Sequence, residues 1–520
     1  MKTIKNTIKY TVLGMFAVCA VSCKKDFTAI NTDPLGQEKV EANQLLAPTL
    51  VNIMSTNMLR NRNFNNELMQ VTVDINDSEG KVFRYDIRRN WADYTWNNWH
   101  LALTNIKFIH EFASEGEKPN RSYQGISLIL QSWIHSLLTD TYGDVPYTQA
   151  NQGKDGIYQP VFDKQKDIYL DMFKKLEQAN QLLKEDQAIV ISSDPIYHGD
   201  IAKWRRFGNS LYLRLLLRIS GKSEVASTVT GKIREIIEGN PQEYPIIEDN
   251  SQNAGLLWTG SNNSAALYTS PFMASVRAND FYNLPIGDFF LGRLVTWENP
   301  LVNPALGTGN VPRLGIGRGA DGYVGVPSGY APGSPVIRQA YFYADGGAVT
   351  LQTDKYTGVI LNAAEVSFIK AEAAAKGWIS GSASSFYYKG MADVINYWMP
   401  NFVSGASDPD FINYVTTAEL EWDDKLPLED TSFGANSQME MIHVQKYYAM
   451  FLMDFQQWFE HRRTGHPVLP KGTGLVNGGN MPSRLYYPVI TQSANPANYR
   501  DAVNSQGPDD INTKVWWQKP

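Results

Sequence analysis

Long stretches of helical periodicity in this chain alternate with stretches that have none. In DIYLDMFKKLEQANQLLKED, residues 167–186, apolar side chains fall at Ile168, Met172, Leu176, Ala179 and Leu183. That spacing of three to four places them on one buried helix face. Asp163 precedes the stretch and is the expected N-cap. Comparable patterns near residues 43–59, 96–115, 122–141, 200–220 and 224–239 predict a first helical block over residues 41–245. A second block, over residues 360–465, holds predicted helices near 362–377 and 384–399. Its longest predicted helix lies near 435–464, with Val444, Tyr448, Phe451, Phe455 and Trp458 as its stripe. Arg462 and Arg463 fall in the last turn, Gly465 is the expected C′ residue, and Pro467 follows, which are helix stop signals.

Between the blocks, residues 246–358 are rich in Gly, Asn, Pro, Ser and Tyr and keep no helical period. They read as a loop-rich insertion with short strands at most. The tail, residues 466–520, reads as irregular in the same way. The expected class is therefore mainly α. Antiparallel helix pairs of roughly 34–40 residues would be tetratricopeptide-like units, although no strict repeat consensus is visible.

The first residues follow a different logic. Lys2, Lys5 and Lys9 form a basic start, and Thr11 to Val21 is an uncharged, largely apolar run. That is the anatomy of a secretory signal, and the run is too short to span a membrane as a helix. The chain's two cysteines, Cys19 and Cys23, sit here. Two thiolates are half of a structural zinc site, and a disulfide between them would close too short a loop to stabilise a large fold. Cys23 follows Ala20 and Ser22 and resembles the lipobox cysteine of bacterial lipoproteins, with Ala20 where Leu is usual. The resemblance implies that residues 1–22 are removed and that Cys23 is acylated. Residues 23–40 are then a lipidated N-terminus and polar tether, and 41–520 the folded domain.

A chain that is 43% hydrophobic and 19% charged is globular rather than disordered. Its net charge of −6, with no basic block outside the signal, argues against nucleic acid as a partner. No later apolar run is long enough to cross a bilayer, so a lipid must do any anchoring. Aromatic content of 12%, with 13 Trp and 27 Tyr, suits a surface that stacks on flat or sugar-like ligands.

Several motifs dissolve on inspection. Gly317 to Gly322 matches G-x-G-x-x-G, but no helical pattern follows it, so a loop is expected in place of a dinucleotide site. Asp74, Asn76, Ser78 and Gly80 lack the spacing of a calcium loop and read as a polar turn. Glu460, His461 and His466 invite a metal or acid–base reading, but Gly465 ends the helix between the two histidines, so capping and packing are expected. Arg205, Arg206, Arg214 and Arg218 are expected to pair with carboxylates or to cover packed helices. No nucleophile elbow, zincin motif or reactive cysteine context is present, and neither a catalytic residue, a metal nor a cofactor is assigned.

Several ordered stretches resemble the SusD/RagB-like nutrient-binding outer-membrane lipoproteins. They are CKKDF with INTDP at 23–34, YGDVPYTQA at 142–150 and KWRRFGNSLYLRLLLRI at 203–219. EVSFIKAEAAAKGW at 365–378, QKYYAMFLMDFQQWFEHRRTGHPVL at 445–469 and PSRLYYP at 482–488 follow in order. The resemblance implies a SusD-like fold of tetratricopeptide-like helix pairs carrying a loop-rich, ligand-binding insertion. It also implies a non-enzymatic protein, lipid-anchored in the outer membrane and exposed at the cell surface. Such a protein captures oligosaccharides, or in some relatives peptides, and delivers them to a SusC-like TonB-dependent β-barrel transporter.

For the ligand site, FRYDIRRNWADYTWNNWH at 83–100 is the leading stretch. Trp96 and Trp99 continue into the stripe of Leu103 and Ile106 and are expected in the core, whereas Trp91 and Tyr94 precede it and are candidates for exposure. In the insertion the aromatic candidates are Trp258, Phe281, Tyr282, Tyr323 and Tyr330. An exposed aromatic among Arg, Asp and Asn offers a sugar a flat face and fixed donors. Two other classes stay open: a surface glycoside hydrolase, which needs two convergent carboxylates, and an assembly scaffold with no small ligand.

Overall fold

The helix faces predicted from periodicity pair with their neighbours in sequence. In the computed structural model, residues 40–76, 78–115, 119–344, 349–434 and 436–519 are described, so the signal, Cys23 and the tether up to residue 39 lie outside them. The first block comprises α1 (Ala42–Arg60), α2 (Trp91–Ser114), α3 (Arg121–Tyr142), the β1–β2 ribbon (Val145–Pro146 and Phe162–Asp163), α4 (Gln165–Leu183), α5 (Ile201–Ile219) and α6 (Ala226–Arg234). Each helix packs on the next. Ser127 donates to the Ile106 carbonyl and Gln124 to that of Ala113, so α2 and α3 run antiparallel. A Cβ on Gly125 would lie 2.8 Å from Leu183, so only glycine lets α3 and α4 approach this closely. Asp163 does not cap α4 as expected. It accepts from the Tyr147 and Thr148 amides, and Asp144 reaches across to take the Gln165 amide at 2.9 Å.

The insertion is pinched at its neck by β3 (Ala254–Leu256), paired antiparallel with β6 (Gly358–Leu361). Between them lie the short helices α7 (Pro271–Ser275) and α8 (Ala278–Tyr282), then α9 (Asp288–Thr296) and the ribbon of β4 (Ile316–Gly317) with β5 (Tyr341–Phe342). α9 is more regular structure than the sequence pattern predicted. Its Phe289, Phe290, Leu291 and Leu294 are buried against the second block, a contact invisible to local periodicity.

The second block holds α10 (Ala363–Ala375), α11 (Ala383–Trp398), α12 (Pro409–Thr417), α13 (Gln438–Ala449) and α14 (Gln456–Thr464). The single long helix expected over 435–464 is broken between α13 and α14, where Leu452 and Asp454 take positive φ. The expected stripe is nonetheless buried throughout, from Val444 to Trp458. Asp454 holds the break by accepting from the Phe455 amide at 2.6 Å and the Gln456 side chain at 2.9 Å. The tail is also less irregular than expected, because α15 (Val489–Ala494) and α16 (Pro496–Gln506) form a helix pair within it. No helix among the described residues is long and apolar enough to cross a membrane.

Buried charge ties the helices together. The Arg214 guanidinium on α5 grips Glu365 on α10 at 2.7 and 2.6 Å. Arg463 on α14 holds both Glu372 oxygens at 2.8 and 2.6 Å and also reaches Glu460. Lys446 meets Glu460 at 2.8 Å and Lys376 meets Glu372 at 2.8 Å. Burial alone would raise both carboxyls, yet Arg463, with Lys376 on Glu372 and Lys446 on Glu460, holds them well below the usual range. Glu372, His443 and Glu460 come close enough together to suggest a metal site. Their carboxylates are already occupied by cationic side chains, so the cluster is a structural ion network. His466 lies in a neighbouring pair with Glu440 at 2.6 Å, and His461 bonds the Pro467 carbonyl, which is the packing role expected for both.

Arg463→Met removes the cation shared by two buried carboxylates and is expected to cost about 3–5 kcal/mol in urea unfolding. Lys376→Met, at the more exposed edge of the network, is expected to cost clearly less. Equal losses for the two variants would show that the buried network is not the stronger tie.

Candidate ligand-binding cleft

An open cleft forms where α1 ends, α2 begins and the insertion folds back over both. Two adjoining hollows of about 420 and 280 Å³ make it up, with Arg62, Asn63 and Asp280 on the wall between them. Beyond Arg60, α1 widens into a π-helical turn, Asn61–Asn65, a local form common at functional sites. This turn puts Arg62 and Asn63 on the cleft side, while Asn61 and Asn65 are buried behind them.

α2 starts at Trp91, five residues earlier than its periodicity indicated. Trp91 and Tyr94 therefore share one face of its first turn, spaced by three. Arg60 joins them, with its guanidinium 5.2 Å from the Trp91 ring and 4.3 Å from the Tyr94 ring. Burial pulls the Arg60 guanidinium below its ordinary value, and Tyr94 and Tyr142 oppose that. Trp91 is half-buried, with its ring 5.6 Å from Phe64. The platform thus has an apolar floor, two accessible rings and a donor fixed over them. Trp96 and Trp99 are in the core as expected, Trp99 donating to Asn57 at 2.8 Å.

The facing wall is the polar turn after Val73. Asp74 accepts from the amide and side chain of Asn76 at 2.9 and 3.0 Å and is paired with Lys81. The reading of this stretch as a polar turn therefore holds, and the turn lines the cleft. Beneath it lies Glu67, carried from its usual range up to about 8 by burial first and by Asp74 second, while Lys81, the Phe83 amide and Arg62 oppose the shift.

The insertion candidates divide. Phe281 is 6% exposed, so it is a buried residue, packed 5.7 Å from Phe272 and under Arg62, and not the open stacking face expected. Trp258 is 3% exposed and belongs to the core beside the β3–β6 neck, which corrects its placement at a surface. Tyr282 and Tyr323 are half-buried and stack with Arg338 and Arg318, outside the cleft lining. Tyr330 stacks on Phe83 at 5.1 Å and its hydroxyl donates to the Asp74 carbonyl, so it braces the polar turn from behind. The cleft brings together Trp91 and Tyr94 from the expected set and adds Arg60, Arg62, Asn63, Asp280 and Asn283. The polar run RNRNFNN at 60–66 was the available signal for three of these.

The architecture is a mainly helical scaffold with a polar, aromatic-lined cleft beside a loop-rich insertion. A sequence model of a SusD-like family, described as starch-binding and associating with the outer membrane, matches residues 34–488, and the chain belongs to that family. The fold is shared with a SusD homologue from Bacteroides fragilis, at 21% identity and a TM-score of 0.72 over 92% of this chain and 100% of that one. A chitin-binding SusD homologue from Flavobacterium johnsoniae matches at 19% identity, with a TM-score of 0.68 over 92% and 98% of the two chains. A SusD homologue from Bacteroides uniformis gives 22% identity and 0.69 over 92% and 99%. No curated protein matches the sequence.

An acid whose folded pKa is raised keeps a proton that the unfolded chain has released. Stability from Glu67 is therefore complete below pH 4.5, declines as pH rises and is gone above about 8. Glu67→Gln is expected to flatten that part of the profile of Tm against pH between about pH 5 and 8. An unchanged slope would place the proton elsewhere.

Proposed function

We propose that this chain is a non-enzymatic surface lipoprotein that captures oligosaccharides in the cleft and delivers them to a SusC-like TonB-dependent β-barrel transporter. The observation that carries the binding step is the Trp91–Tyr94 platform under Arg60, faced by the carboxamides of Asn63, Asn76 and Asn283. Sugar rings present C–H faces to aromatic rings, and their hydroxyls need fixed donors and acceptors around that contact. The chitin-binding relative supports a glycan over a peptide as cargo.

Hydrolysis has one point in its favour: burial first and nearby Asp74 second carry the Glu67 carboxyl up to about 8, so two carboxyl groups share this wall. Against it, both Asp74 oxygens are engaged, by Lys81 and by Asn76. Asp280, on the wall between the two hollows, is held by Arg277 at 2.6 and 3.0 Å. A bound oligosaccharide is therefore expected to leave intact.

Titration with a panel of neutral oligosaccharides tests this reading. Trp91→Ala is expected to weaken the tightest binder by about 1–3 kcal/mol, or ~5–150-fold, while the protein still melts cooperatively. Unchanged affinity in the folded variant would remove the platform from the site, and shortened sugars in the mixture would restore the hydrolase reading.

The lipid anchor rests on the lipobox-like sequence around Cys23. Stable attachment needs more than one acyl chain, as bacterial lipoproteins of this type carry. Cys23→Ala is expected to abolish palmitate labelling and to release the protein from the membrane fraction. Labelling that persists in the variant would overturn the assignment.

A further inference from the structure

A second and larger cleft, of about 620 Å³, lies on other elements and shares no lining residue with the first. Its walls are residues 196–203 leading into α5, the strand entry 249–257, the turn before β6 and the C-terminal end of α11. This volume falls within the range of small-molecule sites, roughly 300–1,000 Å³.

The lining is rich in uncharged hydrogen-bonding groups, Asn250, Asn253, Asn396 and Asn401 with the tyrosines 197, 356 and 397, beside Lys203, Asp249 and Asp393. Most of these side chains are held in place from behind. Asn250 donates to the Asp393 carbonyl at 2.9 Å and accepts from Asn253, whose own oxygen takes the Ala363 amide at 2.7 Å. Asn396 both donates to and accepts from the Val403 backbone, at 2.8 and 3.0 Å. The Tyr397 hydroxyl donates to the Tyr356 carbonyl at 2.5 Å, with the two rings 5.8 Å apart. Each pinned carboxamide keeps hydrogen-bonding capacity beyond the bonds it makes inside the protein. Among the described residues, the Tyr356 hydroxyl and the Asn401 side chain have no hydrogen-bond partner. Leu257 adds an apolar contact at the rim, at 57% exposure.

Most charge in the cleft is engaged locally. Lys203 faces Asp200, Asp393 is bridged by Lys389 at 2.6 Å, and Asp249 is wrapped by Ser251 and Gln252. Lys203 and Asp393 are thus each paired with an opposite charge, and Asp249 is left as a hydrogen-bonded carboxylate at the exposed rim. Preorganised amides, tyrosine faces and a hydroxyl-rich gap suit a ligand that is uncharged and carries many hydroxyls. We infer that this cleft is a second binding site for a neutral saccharide chain. It shares a ligand class with the first cleft but none of its residues, so either can fail alone. Two sites lined by different elements would hold a long glycan at two points where it spans both, and avidity then exceeds either single affinity.

The test uses the full chain in detergent with maltohexaose, cellohexaose and chitohexaose, each bearing a diazirine, and maps the cross-links by mass spectrometry. At least one sugar is expected to label peptides covering 249–257 or 393–401, and that labelling is expected to survive Trp91→Ala. The double variant Tyr356→Phe with Asn401→Gly removes the two free polar groups and leaves the rings in place. It is expected to lower labelling of this cleft about tenfold at an unchanged Tm, with labelling near residues 60–94 unaffected. Labelling confined to residues 60–94 overturns the second site and leaves the first reading intact. No labelling at 249–257 or 393–401 with any of the three sugars, or labelling there only by a diazirine-bearing uncharged peptide, overturns it equally.

Discussion

The break between α13 and α14 is the constraint on which the cleft depends. A helix interrupted in the core exposes backbone groups that must find partners or cost free energy. Here the partners come from the π-helical turn after α1. Asn61 donates to the Asp454 carbonyl at 2.7 Å. Asn65 donates to Gln457 at 2.8 Å and accepts from the Trp458 amide at 3.2 Å. Asp454 also faces the Trp133 indole on α3. Two irregularities nearly 400 residues apart in sequence thus satisfy each other, and both asparagines are fully buried. With Asn61 and Asn65 turned inward, the intervening Arg62 and Asn63 are turned out to the cleft. The unusual backbone is therefore tied to the cleft wall through one set of side-chain bonds.

Around that interlock, buried ions set the register. Acidic side chains as deeply buried as Glu372, Glu460 and Glu365 are tolerated where cations and further hydrogen bonds surround them. Arg214 and Arg463 meet this need by bridging separate helices, so sliding one helix would strand a charge. Such pairs add little net stability compared with well-packed apolar residues, and their effect is to penalise alternative packings. Rigid helices then carry the start of α2 and the end of α1 as fixed walls, against which the insertion supplies Asp280 and Asn283.

The electrostatics of the main cleft are of mixed sign and almost fully paired within the protein. Arg60 is spent on aromatic faces, Lys81 on Asp74 and Arg277 on Asp280. Little net charge is left to attract an ion from a distance, and the remaining capacity is hydrogen bonding and stacking. That balance is consistent with cargo that is large, neutral and heavily hydrated, for which modest affinity at several contacts is the physical expectation.

Much was determined by the sequence alone: the helical blocks, the insertion between them, the family, and Trp96 and Trp99 as core. The blocks and the core tryptophans follow from the spacing of apolar residues along one element, which is a local property, and the family from the resemblance of several ordered stretches. Trp91 and Tyr94 were legible as candidates because they stand just outside a buried stripe among polar neighbours. Other features were decided by tertiary structure. Trp258 and Phe281 carry the same composition signals as exposed aromatics, yet the β3–β6 neck and the α7–α8 packing bury them. The apolar run over 435–464 has an unbroken helical stripe, and nothing local reports that buried asparagines from residues 61 and 65 await its backbone. Arg60 and Asp280 enter one cleft only because the insertion folds back on the end of α1. Exposure and hydrogen-bond satisfaction depend on partners distant in sequence, and no periodicity within a single helix records them.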